Sequence, residues 1–389
     1  MFATILIGLV FLSDPPATYE GLTLDEWRER MKSLELDNPE SRSAVPGMMA
    51  IVQDETLPWF TRRQAALTLG RLGSIGKDAV PMLAKLLKEP SDDDESTRIW
   101  IGKALALFGP EAATVTPTAI EILQDDRSRL GEKQVMIELL GRIGARHPQA
   151  IPALIQTLQT TPPTEKNAAR DVNTLRALAG ESLATAGSDA VAAIPALTRT
   201  LYDENELVRR RAVEALGAIG PSAAVAMSSL LETLIFDESA AVRDSAEVSL
   251  SQLGPSAVEP VTRLLSDAEP AVRERAAGIL ARIGNPAKSS ADELTERLRD
   301  DAAGVRMRAA EALWAIKRDA ATQRLIPFLI DALAQDDRQL RIRAFRLLIE
   351  IGTANRRAVT SALEASQDDP RTPVRQAVQK ALRNLANQN

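Results

Sequence analysis

A thirteen-residue pattern recurs ten times along this chain of 389 residues, and it constrains the fold more than any other feature. The segment Val272–Gly284 shows it best, with an apolar first residue, a basic second residue, a leucine at position nine and a glycine at position thirteen. Self-similarity at a nearly constant spacing is the sequence signature of a repeat architecture. Leucine occupies position nine in all ten copies: Leu69, Leu105, Leu140, Leu183, Leu216, Leu250, Leu280, Leu313, Leu348 and Leu382.

The pattern has the chemistry of one helix followed by a turn. Mostly apolar residues at positions one, five, nine and twelve fall on one side of an α-helix. Glycine at position thirteen, present in eight copies, is a typical helix stop. A proline often follows, as at Pro152, and suits the first turn of a second helix. An aspartate-bearing turn, as at Asp203, then closes the unit. Each unit is therefore a predicted hairpin of a first helix, which carries the pattern, and a second helix.

Such hairpins must stack, because one hairpin cannot bury two apolar stripes alone. Small residues at position ten, such as Gly70 and Gly217, allow close stacking. An aromatic content of only 3%, with abundant alanine and leucine, favours helices over a β-sandwich. The sequence thus predicts an all-α fold built from about ten stacked hairpins.

The run Val-Arg-x-x-Ala-x-x-x-Leu-x-x-Ile-Gly resembles the HEAT repeat, in particular the bacterial HEAT-like form first associated with phycobilisome lyases. The resemblance covers residues 59–389. It implies a right-handed α-solenoid, a superhelix of stacked hairpins with an N-terminal cap. Because proteins with this repeat include scaffolds, transport factors and lyases, the resemblance indicates a fold rather than one function.

Three segments are predicted along the chain: a signal peptide or apolar tail at 1–19, a divergent capping hairpin at 20–58 and the repeat array at 59–389. The apolar run Met1–Leu12 is too short to span a bilayer and resembles the core of a secretory signal. We therefore expect export to the periplasm or outside the cell, with a cytoplasmic location as the alternative. No membrane span is expected elsewhere.

The basic column at position two invites two interpretations. It forms either a basic stripe for an anionic partner or a ladder of ion pairs and hydrogen bonds that joins successive repeats. We favour the ladder, since each basic residue neighbours an aspartate-bearing turn. The column and the leucines together form the structural signature of the C-terminal repeats: Arg209, Arg243, Arg273, Arg306, Arg341, Leu216, Leu250, Leu280, Leu313 and Leu348.

Little in the sequence indicates catalysis. The chain has no cysteine and one histidine, His147, which falls in a predicted turn, and it has no phosphate-binding glycine loop. We therefore predict no catalytic, cofactor-binding or metal site. A net charge of −6 and few aromatic residues argue against nucleic-acid binding. Two rival functions stay open: a HEAT-like lyase acting on a tetrapyrrole or bilin-type ligand, and a nucleic-acid-binding HEAT-like protein.

The remaining prediction is a non-catalytic scaffold that binds a macromolecular partner. The HEAT resemblance implies that the second helices line the concave face of the superhelix. Four acids are predicted on that face, in the C-terminal half, where they would favour a basic protein or peptide; an ordinary solvated surface is the alternative. The sequence does not indicate the oligomeric state. The predicted partner-binding row is Glu232, Glu296, Asp331 and Glu364.

Overall fold

The computed structural model describes residues 18–34, 39–89 and 96–387, without the side chains of residues 39, 40 and 319–322. These ranges are helical and turn structure apart from one small hairpin, in which β1 (Thr18–Tyr19) pairs antiparallel with β2 (Leu22–Thr23). The helices α1 (Leu24–Ser33) and α2 (Pro39–Gln53) follow it. The predicted all-α class is confirmed.

From α3 onward the chain alternates between first and second helices, joined by short 3-10 turns. The first helices are α3 (Trp59–Arg71), α5 (Thr97–Phe108), α7 (Leu130–Ile143), α9 (Lys166–Ala186), α11 (Glu206–Ile219), α13 (Ala240–Gln252), α15 (Pro270–Ile283), the start of α17 (Ala303–Ala332), α18 (Arg338–Ala354) and α20 (Thr372–Ala386). The second helices are α4 (Val80–Lys88), α6 (Thr116–Gln124), α8 (Ala150–Leu158), α10 (Ile194–Thr200), α12 (Met227–Phe236), α14 (Val258–Arg263), α16 (Ala291–Arg297), the end of α17 and α19 (Arg356–Ala365).

The chain divides into two compact units, residues 1–153 and 154–389. In each unit a first helix packs on the second helix of the preceding repeat and on the next first helix. The helices α1 and α2 belong to the first unit, where α2 packs on α3. Trp27 of α1 is fully buried there, and its indole nitrogen donates a hydrogen bond to the carbonyl oxygen of Tyr19 at 2.8 Å.

The leucine column forms the seam between neighbouring hairpins. Nine of its ten members are buried, and Leu382 of α20 is half-buried. Fully burying one leucine side chain stabilises a fold by about 1.5–3 kcal/mol, so a regular column of them holds the stack together. Burial in this seam therefore explains why leucine recurs at this position of the pattern.

Neighbouring first helices approach each other backbone to backbone. A Cβ atom on Gly70 of α3 would lie 2.5 Å from the carbonyl oxygen of Ala104 in α5. One on Gly217 of α11 would lie 2.8 Å from the Cα atom of Ser249 in α13. The second helices, in contrast, pack mainly against first helices and turns rather than against one another. The first helices therefore form the more closely spaced layer of each unit.

Seven of the eight stop glycines adopt positive φ, from 50° at Gly73 to 78° at Gly220. The prediction is wrong for Gly352, which lies inside α18; that helix ends near Asn355, at φ −137° and ψ 66°. Lys317, which replaces the glycine in the eighth copy, adopts a similar conformation, φ −135° and ψ 52°, and kinks α17. A residue with a Cβ atom avoids positive φ, so these two turns use a different backbone path.

Three places depart from the repeat pattern. Pro46 and Pro327 lie inside α2 and α17 rather than in the first turn of a second helix. The polar segment 160–167 includes the start of α9 at Lys166. The carboxylate of Glu165 accepts hydrogen bonds from the backbone amides of Asn167 and Ala168 and so caps the start of this helix.

One described segment, Glu206–Phe236, is long and apolar enough by composition to cross a membrane. The structure divides it into α11 and α12, separated by a turn in which Gly220 has a φ of 78°. Arg209 is buried within this segment among polar partners. In this fold the segment is therefore a helix hairpin and not one continuous helix.

Replacing Gly220 by alanine tests the glycine turn. Only the carbonyl oxygen of Gln252, at 4.0 Å, lies near a Cβ atom built there, so the expected loss is backbone strain alone. We expect Gly220→Ala to lower the free energy of unfolding by about 1–3 kcal/mol. Urea unfolding followed by circular dichroism measures it. Ser222→Ala, an exposed position in the same turn, is the control, and equal stability of the two variants would contradict the assigned role.

Candidate partner-binding surfaces

The predicted acidic row lies on second helices of the unit 154–389. Glu232 is on α12, Glu296 on α16, Asp331 near the end of α17 and Glu364 on α19, and all four are exposed. That these second helices line a concave face stays a prediction.

Three of the four acids have polar partners. The carboxylate of Glu232 accepts a hydrogen bond from the hydroxyl of Tyr202 at 2.7 Å. Asp331 pairs with Arg371 at 3.1 Å, and Glu296 lies 3.7 Å from the guanidinium of Arg297. These pairs are exposed and contribute little stability each, about 0–1 kcal/mol. They do reduce the net charge of the row at Glu296 and Asp331.

Two exposed aromatic side chains flank Glu232, since Tyr202 donates to its carboxylate and Phe236 lies one helical turn later on α12. Tyr202 at the end of α10 is 57% exposed, and Phe236 at the end of α12 is 76% exposed. Leu207, in the first turn of α11, is also exposed, beside Glu206. The hydroxyl of Ser239 donates to the carboxylate of Glu206 at 2.7 Å and so links this turn to the next one. We name the surface formed by Tyr202, Glu206, Leu207, Glu232 and Phe236 the acidic-aromatic edge.

Of the residues that form this edge, only Glu232 could be predicted from the sequence. A signal for the rest exists, since Tyr202 and Phe236 immediately precede the turn aspartates Asp203 and Asp237 in successive repeats. The residue before the turn aspartate is Gln124 or Ser266 in other repeats. Two aromatic residues at one repeat position that is otherwise polar would have indicated an exposed pair.

The arginine column contacts the turns that precede it. In each of the five signature repeats, one guanidinium nitrogen donates to two successive backbone carbonyl oxygens, five and six residues earlier in the chain. In the repeat of Arg209 these are the carbonyl oxygens of Glu204 and Asp203, at 3.3 and 2.8 Å. The five arginines that share this arrangement are Arg209, Arg243, Arg273, Arg306 and Arg341.

Two of these arginines also bind the aspartate of the following turn with two nitrogens. Arg209 contacts Asp237 at 2.8 and 3.0 Å, and Arg273 contacts Asp300 at 2.8 and 2.7 Å. Each guanidinium therefore joins one turn to the next. Both arginine side chains are largely buried, so these two members of the column stabilise the contact between successive turns.

The ion pair at Arg273 alters the protonation of its partner. Burial of Asp300, whose side chain is 1% exposed, by itself would raise the pKa of the carboxyl. Hydrogen bonds from the Arg273 guanidinium and the Ala302 amide outweigh burial and lower that pKa to about 2. Hydrogen bonding to Asp237 likewise raises the pKa of Arg209 despite its burial. The Arg273–Asp300 pair is therefore charged at neutral pH.

The exposed side of the first helices in this unit carries charges of both signs, which pair with one another. Arg211 contacts Glu181 at 3.0 Å, Arg275 contacts Asp244 at 2.7 Å, and Arg343 contacts Glu311 at 2.9 Å. Each of these pairs joins two neighbouring first helices. This surface consequently presents no strong charge of one sign to a partner.

Within the described ranges, no group of three or more histidine, aspartate or glutamate side chains is arranged to hold a metal ion. His147 lies in the turn before α8, where its Nδ1 atom accepts a hydrogen bond from the backbone amide of Gln149 at 3.3 Å.

Two family models match the chain. The model described as HEAT repeats matches residues 171–251, 227–314 and 291–383, which together cover more than half of the chain. The model described as PBS lyase HEAT-like repeat matches residues 61–89. Among curated proteins, none matches.

Solved structures with this fold include the karyopherin Kap95p. Its structure with RanGDP is 14% identical over 93% of this chain and 55% of Kap95p, with a TM-score of 0.52. Its complex with Nup1 is 14% identical over 93% of this chain and 56% of Kap95p, with a TM-score of 0.53. The phycocyanin lyase complex of CpcE and CpcF from Nostoc sp. PCC7120 is 19% identical over 70% of this chain and 94% of that chain, at a TM-score of 0.35. The chain thus spans just over half the length of Kap95p and shares its fold.

The Arg273–Asp300 pair predicts a pH dependence of stability. Because the pKa of Asp300 is lower in the folded state than in the unfolded chain, its contribution is complete above about pH 4 and is lost as the pH falls toward about 2. A shift of this size corresponds to about 2 kcal/mol. We expect Asp300→Asn to lower the free energy of unfolding at pH 7 by about 2–3 kcal/mol, since it removes one member of a buried pair.

Urea unfolding of both proteins between pH 2 and pH 7 measures this effect. The difference between the wild-type protein and Asp300→Asn should shrink as the pH falls below about 4. Asp301→Asn is the control, because the Asp301 side chain also contacts Arg273 but is exposed. A difference that stays constant over the whole pH range would contradict the assigned pair.

Proposed function

This chain belongs to the HEAT-repeat family, and we propose that it is a non-catalytic scaffold that binds a basic protein or peptide through the acidic-aromatic edge of its second unit. The fold supports this proposal, because stacked hairpins present long rows of helix ends to solvent. Kap95p, which shares the fold, occurs in complexes with RanGDP and with Nup1. That precedent supports a protein as the partner.

The observation that carries the proposal is the exposure of Tyr202 and Phe236. Aromatic rings bring large apolar area to an interface and are enriched among the residues that dominate binding energy. Here two such rings occupy equivalent positions in successive repeats and stay mostly exposed. The hydrogen bond from Tyr202 to Glu232 holds one ring against α12 and so keeps it ordered before binding.

The negative charge of the acidic-aromatic edge favours a basic partner. Glu204, Glu206 and Glu232 are exposed, and the exposed Glu238 is paired with Arg209 at 3.2 Å. The turn aspartate Asp237 is instead bound by Arg209 and is not accessible. The accessible charge is therefore negative, which favours a basic partner and predicts an association rate that falls as salt is added.

The acidic row extends this surface along the second helices of the same unit. Glu296 and Glu364 lie on α16 and α19, beyond the edge that includes Glu232. Asp331 already pairs with Arg371, so a partner must compete with that ion pair to reach it. We therefore assign the row a weaker, long-range electrostatic role and the edge the direct contact.

Removing the two rings tests the edge. We expect the double variant Tyr202→Ala, Phe236→Ala to recover at least about tenfold less partner from native cell extract than the wild-type protein, because both apolar contacts are lost. Quantitative mass spectrometry of the captured proteins measures the recovery. Val225→Ala, an exposed apolar position on the glycine-turn side of the same unit, is the matched control, and Tyr202→Phe separates the ring from its hydroxyl. Unchanged recovery by the double variant rules out the edge.

Reversing the row tests the electrostatic role. We expect lysine at positions 232, 296, 331 and 364 together to reduce capture at low salt and to weaken its dependence on salt. The matched control reverses four exposed acids elsewhere, Asp78, Glu89, Glu111 and Asp126, with the same change in net charge. If both sets reduce capture equally, the row has no specific role.

A further inference from the structure

A groove in the first unit lies over the exposed side of α3. Trp59 and Phe60 begin that helix and are 46% and 51% exposed. Together with Arg63, Leu67 and the exposed Leu107 of α5, they line a groove of about 450 Å³. The indole of Trp59 and the ring of Phe60 meet edge to face, with centroids 6.1 Å apart.

The groove continues toward the N-terminal cap. A second cavity of about 720 Å³ shares Gln64 and Arg71 with the first one. Its other walls include Met31 and Leu34 at the end of α1. The two cavities together form one apolar channel across α3, between the end of α1 and Leu107 of α5. We name this channel the basic-aromatic groove.

The charged lining of the groove is basic. Arg63 lies over the Trp59 ring, with its guanidinium carbon 5.4 Å from the ring centroid, and Arg71 donates one hydrogen bond to the hydroxyl of Thr68 at 3.0 Å. In the part of the chain that the structure describes, no carboxylate lines the groove or pairs with Arg63 or Arg71. Lys32, which also lines it, pairs with Glu29 at 2.5 Å. Among the described residues, the charged groups that line the groove are therefore these two guanidinium groups and Lys32.

We propose that the basic-aromatic groove binds an acidic amphipathic segment of a protein partner. Apolar side chains of that segment contact Trp59, Phe60 and Leu107, and its carboxylates pair with Arg63 and Arg71. Guanidinium groups suit this task, since they bind carboxylates through two parallel hydrogen bonds and stack on aromatic rings at the same time. This site is distinct from the acidic-aromatic edge, which lies in the other unit and carries the opposite charge.

The geometry favours a protein segment over a single-stranded nucleic acid. Nucleic-acid binders stack bases on open aromatic faces along a positively charged track. Here the two rings stand at 83° to each other, and Arg63 covers one face of Trp59. The aliphatic walls formed by Leu67, Leu107 and Met31 suit leucine or phenylalanine side chains.

Fluorescence anisotropy with the full chain tests the groove. The probe is a labelled helical peptide with glutamate on one face and leucine and phenylalanine on the other, and its matched control carries lysine in place of glutamate. We expect the acidic peptide to bind, more weakly at higher salt, and the lysine peptide not to bind. The double variants Trp59→Ala, Phe60→Ala and Arg63→Glu, Arg71→Glu should each weaken binding by at least about tenfold. Arg146→Glu, exposed in the same unit outside the groove, should not.

Four results would overturn the proposal. They are equal binding by all variants, preference for oligo(dT) over the acidic peptide, self-association of the chain that is lost in Trp59→Ala, Phe60→Ala, and peptide binding only after removal of residues 1–17. The last two would assign the groove to a second copy or to the chain's own N-terminal segment. Circular dichroism checks that each variant is folded. The variant Tyr202→Ala, Phe236→Ala should bind the acidic peptide normally, which separates this proposal from the one for the edge.

Discussion

Close contact between the backbones of neighbouring first helices is the constraint on which the rest of each unit depends. It requires small residues at defined positions, and Gly70 and Gly217 show why, since a Cβ atom there would overlap the next helix. It also brings each leucine of the column into a seam between hairpins, where water is excluded. A helix pair that packs this closely leaves little freedom of register, so turns recur at nearly constant intervals and the arginines meet carbonyl oxygens in the same way in each signature repeat.

The same constraint determines which groups remain available for binding. The turn aspartates are conspicuous in the sequence, yet Asp237 and Asp300 are held by buried arginines and stabilise the stack. The first helices of the second unit pair their charges across neighbouring helices. What remains is the ends of the second helices, which have fewer neighbours. Exposed rings at those ends cannot be explained by packing, which is why we assign them to binding.

The repeating part of the fold could be predicted from the sequence, because the leucines and the signature arginines each perform one task that hardly varies between copies. Helix boundaries are harder to predict where a single side chain decides them, as with the Glu165 carboxylate that caps the start of α9. Gly352 was misassigned because glycine also serves close packing, here against Leu385. The acidic row is predicted from residue spacing alone. Spacing cannot reveal that Arg371, forty residues further along the chain, pairs with Asp331.

Exposure of aromatic residues was the harder quantity to infer. Trp59 and Phe60 immediately precede the first copy of the pattern, so the periodicity could not assign them to the buried or the exposed side of the helix. The structure shows them exposed beside two arginines. The net charge of −6 was equally uninformative, because it averages an acidic edge in one unit with a basic groove in the other. Binding depends on the charge within about one Debye length, roughly 10 Å, and not on the total. For a chain of repeats, partner chemistry therefore has to be judged hairpin by hairpin.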